Sequence, residues 1–318
     1  DTLIGLAGND TLDGGAGANT LMFGNSLSGP WTSTSPAGVT IVLDGVTAGI
    51  GGDAQGDTFA NFTTVWMTGF ADSVTGIGAD ETFWGSGGAD TVNGGAGLDT
   101  MRYRDGATTG VSIGLDGVAG TAGNATGDRL FNIEQLYGTD FDDTLWGGTG
   151  NDYIYGEAGN DLFFADAGAD TIDGGLGLNR LSFGTSTLAV TVNLGTGLGL
   201  GGLAQGDVYL NIQNVTGSLG ADLLIGDANA NSLSGSDGND TLQGGLGNDA
   251  LTGGAGIDYA DYSDSSVGVD VTLSGTGSGG TAEGDTLNSI EGLIGSSHDD
   301  TLTGAGNNET LLGGAGND

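Results

Sequence analysis

A glycine-rich period of nine residues runs through most of this chain of 318 residues. Residues 147–155 read GGTGNDYIY, residues 244–252 read GGLGNDALT and residues 253–261 read GGAGIDYAD. The shared pattern is G-G-x-G-x-D-x-U-x, in which U is a large apolar residue. A period this regular restricts the chain to a repeat architecture, in which every unit stacks against its neighbours along the sequence.

The repeats form five blocks that are separated by longer inserts. The blocks cover residues 1–22, 67–102, 138–182, 217–261 and 295–318, and the inserts cover residues 23–66, 103–137, 183–216 and 262–294. One block and one insert together make a larger repeat of about 80 residues. Both ends of the sequence cut through a nonapeptide, so we expect residues 1–318 to be a single elongated array that belongs to a longer protein.

The sixth slot of the nonapeptide is the most chemically uniform position. It carries an acid at Asp1, Asp10, Asp72, Glu81, Asp90, Asp99, Asp143, Asp152, Asp161, Asp170, Asp222, Asp240, Asp249, Asp258, Asp300, Glu309 and Asp318, and asparagine at Asn19, Asn179 and Asn231. The eighth slot is apolar, for example at Leu145, Phe163 and Leu242. The sixth slot therefore supplies an oxygen in every repeat, and the eighth slot supplies the predicted core.

The spacing of apolar residues predicts very short strands that are joined by glycine-rich turns. Glycine adopts positive φ without steric cost, so the first six slots suit a turn whose carbonyls point inward. Two repeats then make one coil, and each residue contacts its equivalent eighteen positions later at the strand spacing of ~4.8 Å. The sequence therefore predicts an all-β fold, a parallel β-solenoid interrupted by longer β inserts.

The inserts resemble one another. Each begins with an alternating strand, at Val39–Leu43, Val111–Leu115, Val190–Leu194 and Val269–Leu273, and each continues to a Gly-Asp pair at Asp57, Asp128, Asp207 and Asp285. These aspartates fit either a turn residue that follows glycine or a metal ligand. The same two interpretations apply to Glu134 and Glu291. We expect the inserts to form wider or additional coils.

Charge and composition exclude several functions. Acidic residues number 41 and basic residues 4, which gives a formal net charge of −37. Such a polyanion does not suit nucleic acid or an anionic membrane surface. The absence of cysteine and the single histidine exclude Cys/His zinc sites. No apolar run has the length of a transmembrane helix, and the opening residues DTLIGLAGND do not read as a signal peptide.

Stacking brings the sixth-slot carboxylates close together. At an effective dielectric constant of 20, two like charges ~5 Å apart repel by a few kcal/mol. A divalent cation reverses the sign of this interaction. Calcium prefers six to eight oxygen ligands from carboxylates and carbonyls, whereas magnesium requires a tighter octahedron. The pattern therefore favours multiple bound calcium ions as the cofactor.

These nonapeptides resemble the RTX, or haemolysin-type, calcium-binding repeat family, whose fold is a parallel β-roll. The resemblance implies that calcium lies between loops one coil apart, held by both sixth-slot acids and by loop carbonyls. It implies the pairs Asp72 with Asp90, Glu81 with Asp99, Asp143 with Asp161, Asp152 with Asp170, Asp222 with Asp240, Asp240 with Asp258 and Asp300 with Asp318. Asp10 and Asp249 belong to the same candidate set, and the helping carbonyls are those of Gly94, Ala96, Gly148, Gly150, Gly238 and Gly253.

Some repeats depart from the family pattern. Asn179 and Asn231 replace acids that would partner Asp161 and Asp249. Other departures replace loop glycines, at Phe70, Ala165 and His298. We expect weak or empty sites at these loops.

The function that the resemblance implies is structural. We expect a calcium-dependent extracellular module of a bacterial adhesin, surface layer or filament, exported by type I secretion and able to self-associate. The alternative is a C-terminal auxiliary module of a secreted protease, lipase or alginate epimerase. We expect no enzymatic activity in the chain itself, because every acid has many equivalent copies whereas an active site is usually singular.

Two minor features have simpler interpretations. His298 has no nucleophile partner and is expected to be incidental. Trp31, Trp66, Trp84 and Trp146 would suit sugar stacking, but the favoured interpretation is that they cover the core or the coil edges.

Overall fold

The computed structural model describes residues 1–23, 35–273, 275–306 and 308–318, so Trp31 lies outside the described residues. The strands are β1 Thr2–Gly5, β2 Thr11–Asp13, β3 Thr20–Phe23, β4 Thr40–Val42, β5 Thr58–Ala60, β6 Thr64–Trp66, β7 Ser73–Thr75, β8 Thr82–Trp84, β9 Thr91–Asn93, β10 Thr100–Arg102, β11 Ser112–Gly114, β12 Arg129–Phe131, β13 Gln135–Tyr137, β14 Thr144–Trp146, β15 Tyr153–Tyr155, β16 Leu162–Phe164, β17 Thr171–Asp173, β18 Arg180–Ser182, β19 Thr191–Asn193, β20 Leu198–Leu200, β21 Val208–Leu210, β22 Asn214–Thr216, β23 Leu223–Ile225, β24 Ser232–Asp237, β25 Thr241–Gln243, β26 Ala250–Ala255, β27 Tyr259–Asp261, β28 Asp270–Thr272, β29 Thr286–Asn288, β30 Gly292–Ile294, β31 Thr301–Thr303 and β32 Thr310–Leu312. Four single-turn 3₁₀ segments, one in each insert, are η1 Gly52–Ala54, η2 Gly123–Ala125, η3 Gly202–Ala204 and η4 Gly280–Ala282.

Most strands are three residues long and turn only their central side chain inward. In β8 the central Phe83 is fully buried, whereas the flanking Thr82 and Trp84 are half-buried. The same alternation holds in β25, where Leu242 is buried. The eighth-slot residues thus form a thin core of one large side chain per strand, as predicted. Leu302 is an exception, because it is only half-buried in β31.

Successive coils pair in parallel with a register of eighteen residues within a block. Thr82 of β8 pairs with Thr100 of β10, and Leu223 of β23 pairs with Thr241 of β25. Two nonapeptides therefore make one coil, with strands on two sides. The predicted all-β parallel fold is confirmed.

The chain divides into two compact units. The first comprises Asp1–Leu162 with Gly174–Gly177, and the second comprises Phe163–Asp173 with Leu178–Asp318. The strand order in the first unit is β1-β3-β6-β8-β10-β13-β15 on one side and β2-β5, β4-β7-β9-β12 and β11-β14 on the other. In the second unit the orders are β17-β21-β20-β19-β23-β25-β27-β30-β32, β18-β22-β24-β26-β29 and β28-β31.

Each insert interrupts one side of the coil and leaves the other side continuous. In the first insert β5 pairs with β2 of the preceding block, whereas β4 pairs with β7 of the following block. Antiparallel bridges Thr40–Ile50 and Asp44–Ala60 join the two parts. In the third insert this connection is a full antiparallel strand, β20, between β19 and β21. The inserts therefore add short antiparallel segments to otherwise parallel coils.

A tight turn returns each insert to the nonapeptide register. In the second insert only six residues separate Asp128 from Glu134, compared with nine between sixth slots in a block. Asn132, with φ 49°, makes the turn, and Asn61, Asn211 and Ser289 do the same with φ of 57°, 55° and 49°. The left-handed conformation suits asparagine.

No helical segment in the described part of the chain is long and apolar enough to cross a membrane.

Candidate metal centres

The sixth-slot carboxylates form a hydrogen-bonded ladder along the stacked loops. The backbone N–H of Asp222 donates to Oδ1 of Asp240 at 2.8 Å, and the N–H of Asp240 donates to Oδ1 of Asp258 at 2.8 Å. The same bond joins Asp72 to Asp90, Glu81 to Asp99, Asp143 to Asp161, Asn231 to Asp249 and Asp300 to Asp318. The structure thus brings together the members of six predicted pairs. Asp152 lies in the first unit and Asp170 in the second.

The second oxygen of several ladder carboxylates is buried without a partner. Asp90, Asp240, Asp249 and Asp258 are each at most 1% exposed, and their Oδ2 atoms accept no hydrogen bond from the described residues. A buried carboxylate oxygen without a compensating charge or donor is strongly unfavourable. These oxygens therefore mark positions where a cation would stabilise the fold.

The pKa values of these carboxylates also show that the buried negative charge lacks a compensating positive charge. Burial, followed by the charges of Asp128 and Asp72, raises the pKa of Asp90 to about 9. Burial raises the pKa values of Asp240 and Asp249 to about 6. The fold without a counter-charge thus shifts these groups towards their protonated forms.

Glu81 and Asp99 are neighbouring carboxyl groups of the ladder in the first unit. Burial raises the pKa of Glu81, and the neighbouring Asp99 carboxyl raises it further. Burial also raises the pKa of Asp99. A shared cation would allow both groups to ionise, because it supplies the missing positive charge.

The first-slot glycines leave the space in which the oxygens converge. A Cβ at Gly235 would collide with Oδ2 of Asp240 and with the carbonyl oxygen of Gly253, which lies one coil further on. A Cβ at Gly217 would meet Oδ2 of Asp222 and the carbonyl of Gly235 in the same way. The missing side chain thus leaves a cradle lined by carboxylate and carbonyl oxygens, the ligand types that calcium prefers.

Asn19 shows how the loop carbonyls converge on the sixth slot. Its amide Nδ2 donates to the carbonyl oxygens of Gly15, Gly17 and Asn61 at 3.3, 3.1 and 3.1 Å. An aspartate at this slot has no hydrogens to offer, so the same carbonyls would need a cation. This supports the expectation of weak or empty sites at Asn179 and Asn231, whose amides also donate to carbonyl oxygens.

Four of the six predicted helping carbonyls lie next to glycines of the neighbouring loops. The carbonyl oxygen of Gly94 lies too close to Gly76 to leave room for a Cβ there, and the carbonyl oxygens of Gly238 and Gly253 do the same at Gly256 and Gly235. The carbonyl oxygen of Ala96 lies 3.8 Å from the position of a Cβ at Gly78. Gly148 instead donates its N–H to Oδ2 of Asp152 at 2.7 Å. The Cβ position of Gly150 lies 3.7 Å from Oδ1 of Asp152.

Hydroxyl groups at the second slot satisfy the first carboxylate of four blocks. The Ser218 hydroxyl donates to Oδ1 of Asp222 at 2.7 Å, and its N–H donates to Oδ2 at 2.6 Å. Thr68, Thr139 and Ser296 make the equivalent bonds to Asp72, Asp143 and Asp300. The nonapeptide pattern did not predict a role for these residues, although a serine or threonine at the second slot of the first repeat recurs in each of these blocks.

The Gly-Asp residues of the inserts continue the ladder. Oδ1 of Asp57, Asp128, Asp207 and Asp285 accepts the N–H of Asp10, Asp90, Asp170 and Asp249 at 2.6–3.0 Å. Glu134 and Glu291 likewise accept the N–H groups of Asp99 and Asp258. These acids therefore occupy sixth-slot positions, 33–47 residues from the residues that they contact rather than eighteen.

Trp66, Trp84 and Arg102 belong to an aromatic column on one sheet of the first unit. Trp66 and Trp84 are in register and stack at 4.5 Å with an interplanar angle of 2°. The Arg102 guanidinium lies 5.4 Å from the Trp84 ring and 3.8 Å from that of Tyr137. Neighbours thus cover both faces of Trp84, which argues against a sugar platform there. Trp146 lies over Gly114 of the neighbouring strand.

His298 is exposed at a loop. Its ring Nδ1 lies 3.4 Å from the hydroxyl of the adjacent Ser297, and its backbone N–H donates to the Ser296 hydroxyl. This position agrees with an incidental role.

Comparison with known proteins identifies the repeats. The family model described as RTX calcium-binding nonapeptide repeat (4 copies) matches residues 1–25, 75–109, 137–172, 146–181, 214–240, 225–260 and 293–318. No curated protein matches the chain. The family matches reach all five blocks and cover more than half of the chain, with gaps only in or beside the inserts. The chain therefore belongs to the RTX calcium-binding nonapeptide repeat family.

Proposed function

We propose that this chain is a structural module that folds when it binds several calcium ions outside the cell. The observation that carries the proposal is the row of buried Oδ2 atoms without partners, at Asp90, Asp240, Asp249 and Asp258. Calcium supplies charge and coordination to these oxygens and to the carbonyls of the glycine cradle. The chain's own residues supply the register, through the ladder of Oδ1 hydrogen bonds.

Calcium binding and folding are coupled in this proposal. The cradle exists only when two coils are stacked, so the unfolded chain does not hold the ion at comparable affinity. An ion that binds the folded state alone stabilises it by RT ln(1 + [L]/Kd), which is about 2.7 kcal/mol at 100 times Kd. At low cytosolic calcium the carboxylates repel one another and the chain remains unfolded, and at extracellular calcium it folds.

We further propose a place for this module in a secreted adhesin, surface layer or filament. Three observations support this role. The chain belongs to the repeat family, its net charge is −37, and sixth-slot acids of the described residues form one repeated ladder of hydrogen bonds. The chain itself is proposed to have no catalytic activity. In the alternative, an auxiliary module of a secreted enzyme, the neighbouring sequence would contain a catalytic motif such as HExxH or GxSxG.

A far-UV circular dichroism titration tests the folding switch. We expect a disordered spectrum without calcium, a cooperative gain of β-structure as calcium reaches the millimolar range, and reversal by EDTA. Magnesium at the same concentration is the control, and we expect it to be much less effective because it requires a tighter octahedron. A calcium-free protein that is already fully β-structured and does not respond to calcium would contradict the proposal.

A further inference from the structure

Each of the first four blocks is followed directly by a buried aromatic residue, at the position where the first slot of another repeat would fall. These residues are Phe23, Tyr103, Phe183 and Tyr262, and each is at most 3% exposed. Tyr103 lies eighteen residues after Gly85, and its ring fills the space where a Cβ of Gly85 would be. In this coil an aromatic ring therefore takes the place of the oxygens that line the cradle at Gly235.

Two inserts use a tyrosine hydroxyl to satisfy their aspartate. The Tyr103 hydroxyl donates to Oδ2 of Asp128 at 2.9 Å in the second insert. The Tyr209 hydroxyl donates to Oδ2 of Asp207 at 2.8 Å in the third. Oδ1 of each aspartate already accepts a ladder N–H, so both oxygens have partners. A neutral donor thus does at these coils what a cation would do within a block.

The first insert has the same architecture without the hydroxyl. Phe23 and Phe59 make an edge-to-face pair with centroids 5.8 Å apart at 74°, and Phe183 and Tyr209 make a similar pair at 6.3 Å and 79°. Phe59 follows Asp57 by two residues, as Tyr209 follows Asp207. The two inserts therefore differ at this position by one oxygen atom.

Asp57 consequently has a buried oxygen without a partner. The residue is fully buried, and Oδ1 accepts the N–H of Asp10 at 2.6 Å. Oδ2 accepts no hydrogen bond from the described residues and lies 2.9 Å from the position of a Cβ at Gly5. Gly5 is the first slot of the nonapeptide loop at residues 5–10, so this oxygen lies at that first-slot glycine, beside the side chain of Leu12. The charges of Asp10 and Asp53 add to the negative potential at Asp57.

We propose that Asp57 binds a divalent cation between the loop at residues 5–10 and the insert loop at residues 52–57. The inserts that contain Asp128 and Asp207 bind none, because tyrosine hydroxyls satisfy their aspartates. The inference rests on the proposed calcium binding of the nonapeptide loops and extends it to an insert position. Asp57 provides a buried carboxylate oxygen without a partner, and calcium is the expected ion because it prefers oxygen ligands in a flexible geometry.

The number of bound ions tests this site directly. Calcium per chain is measured by mass spectrometry under native conditions, on the whole chain at saturating calcium. We expect Phe59→Tyr to bind one ion fewer than the unmodified chain, because its hydroxyl reaches Oδ2 of Asp57 as that of Tyr209 reaches Asp207. We expect Asp57→Asn also to bind one ion fewer. The reciprocal variant Tyr209→Phe is expected to bind one ion more.

Circular dichroism in calcium confirms that each variant is folded, and Asp57→Asn keeps the shape of the side chain if Phe59→Tyr fails to fold. An unchanged ion count in Asp57→Asn, or in folded Phe59→Tyr, would overturn the site. A chain that binds no calcium at all would refute the proposed function, whereas bound calcium with equal counts in all variants would refute only the Asp57 site.

Discussion

At the scale of the residue, the two oxygens of a sixth-slot aspartate have separate roles. In Asp240, Oδ1 accepts the N–H of Asp222 from the preceding coil, whereas Oδ2 is buried without a partner. The first oxygen sets the register of the coils and the second creates the demand for a cation. Asparagine performs only the first role, as Asn19 shows: its Oδ1 accepts a hydrogen bond from the amino group of Asp1, eighteen residues earlier, while its amide donates to loop carbonyls.

Asp240→Asn separates the two roles. The amide oxygen can still accept the ladder hydrogen bond, but the charge that binds the cation is lost. We expect the calcium concentration at the folding midpoint to rise on the order of tenfold, or about 1.4 kcal/mol. Circular dichroism titration measures it, with Asp237→Asn, an exposed acid three residues earlier, as the control. Equal midpoints for the two variants would show that Asp240 holds no ion.

Gly235→Ala tests the cradle. The added methyl group would collide with Oδ2 of Asp240 and the carbonyl of Gly253. We expect the loss of at least one bound calcium ion and a lower melting temperature in calcium, measured by native mass spectrometry and thermal unfolding. Gly69→Ala is the matched control, because no atom lies within 4 Å of its Cβ position and its φ is not in the left-handed region. Normal calcium binding by Gly235→Ala would contradict the assignment.

At the scale of the element, side-chain hydroxyls satisfy buried carboxylates at the start of four blocks and in two inserts. In four blocks a Ser or Thr at the second slot of the first repeat donates to the first carboxylate. In two inserts a Tyr donates to the insert aspartate. These donors stabilise the end carboxylates without calcium. We therefore expect the calcium requirement to be concentrated in the interior of the blocks, where Asp90, Asp240 and Asp249 have buried Oδ2 atoms without partners.

Ser218→Ala tests a block end. The Ser218 hydroxyl donates to Asp222 at 2.7 Å and accepts the N–H of Gly220 at 3.0 Å. Loss of a hydrogen bond to a buried charged group costs about 1.5–3 kcal/mol. We expect the free energy of unfolding in saturating calcium, measured with urea, to fall by this amount while the ion count stays unchanged. Ser234→Ala, in strand β24, is the control, and a reduced ion count would instead make Ser218 part of a metal site.

At the scale of the whole molecule, the excess of negative charge couples stability to solution conditions. The chain carries 41 acidic residues, and many of them are stacked in buried rows. A thin core of one apolar side chain per strand limits the hydrophobic stabilisation that can offset their repulsion. Protons and calcium ions are therefore competing means of stabilising the same fold.

The calcium-free chain is expected to lose stability as the pH rises. Burial raises the pKa values of Asp90, Asp161, Asp240 and Asp249 to between about 6 and about 9, above the ordinary value of 3.8. Between these values the folded state binds more protons than the unfolded state, so its stability is present at low pH and decreases as the pH rises. Far-UV circular dichroism in calcium-depleted buffer at about pH 5 and about pH 8 measures this change.

Saturating calcium is the control for that series, because calcium binds the ionised carboxylates. With calcium present we expect stability to rise from pH 5 towards pH 8, since fewer protons compete for the ligands. A calcium-free chain that is more structured at pH 8 than at pH 5 would contradict the raised pKa values.

The sequence alone determined the coil, the core and the sixth-slot row. A nine-residue period repeated in a stack fixes which side chains meet by simple translation, so Leu242 and Asp240 could be placed without coordinates. Only the tertiary structure decided what happens where the period is broken. The hydrogen bond from Tyr103 to Asp128 spans 25 residues within an insert, and no fixed period relates the two positions. The roles of Ser218 and Phe59 likewise depend on atomic contacts across the loop stack, because a single hydroxyl decides there whether a buried carboxylate has a partner.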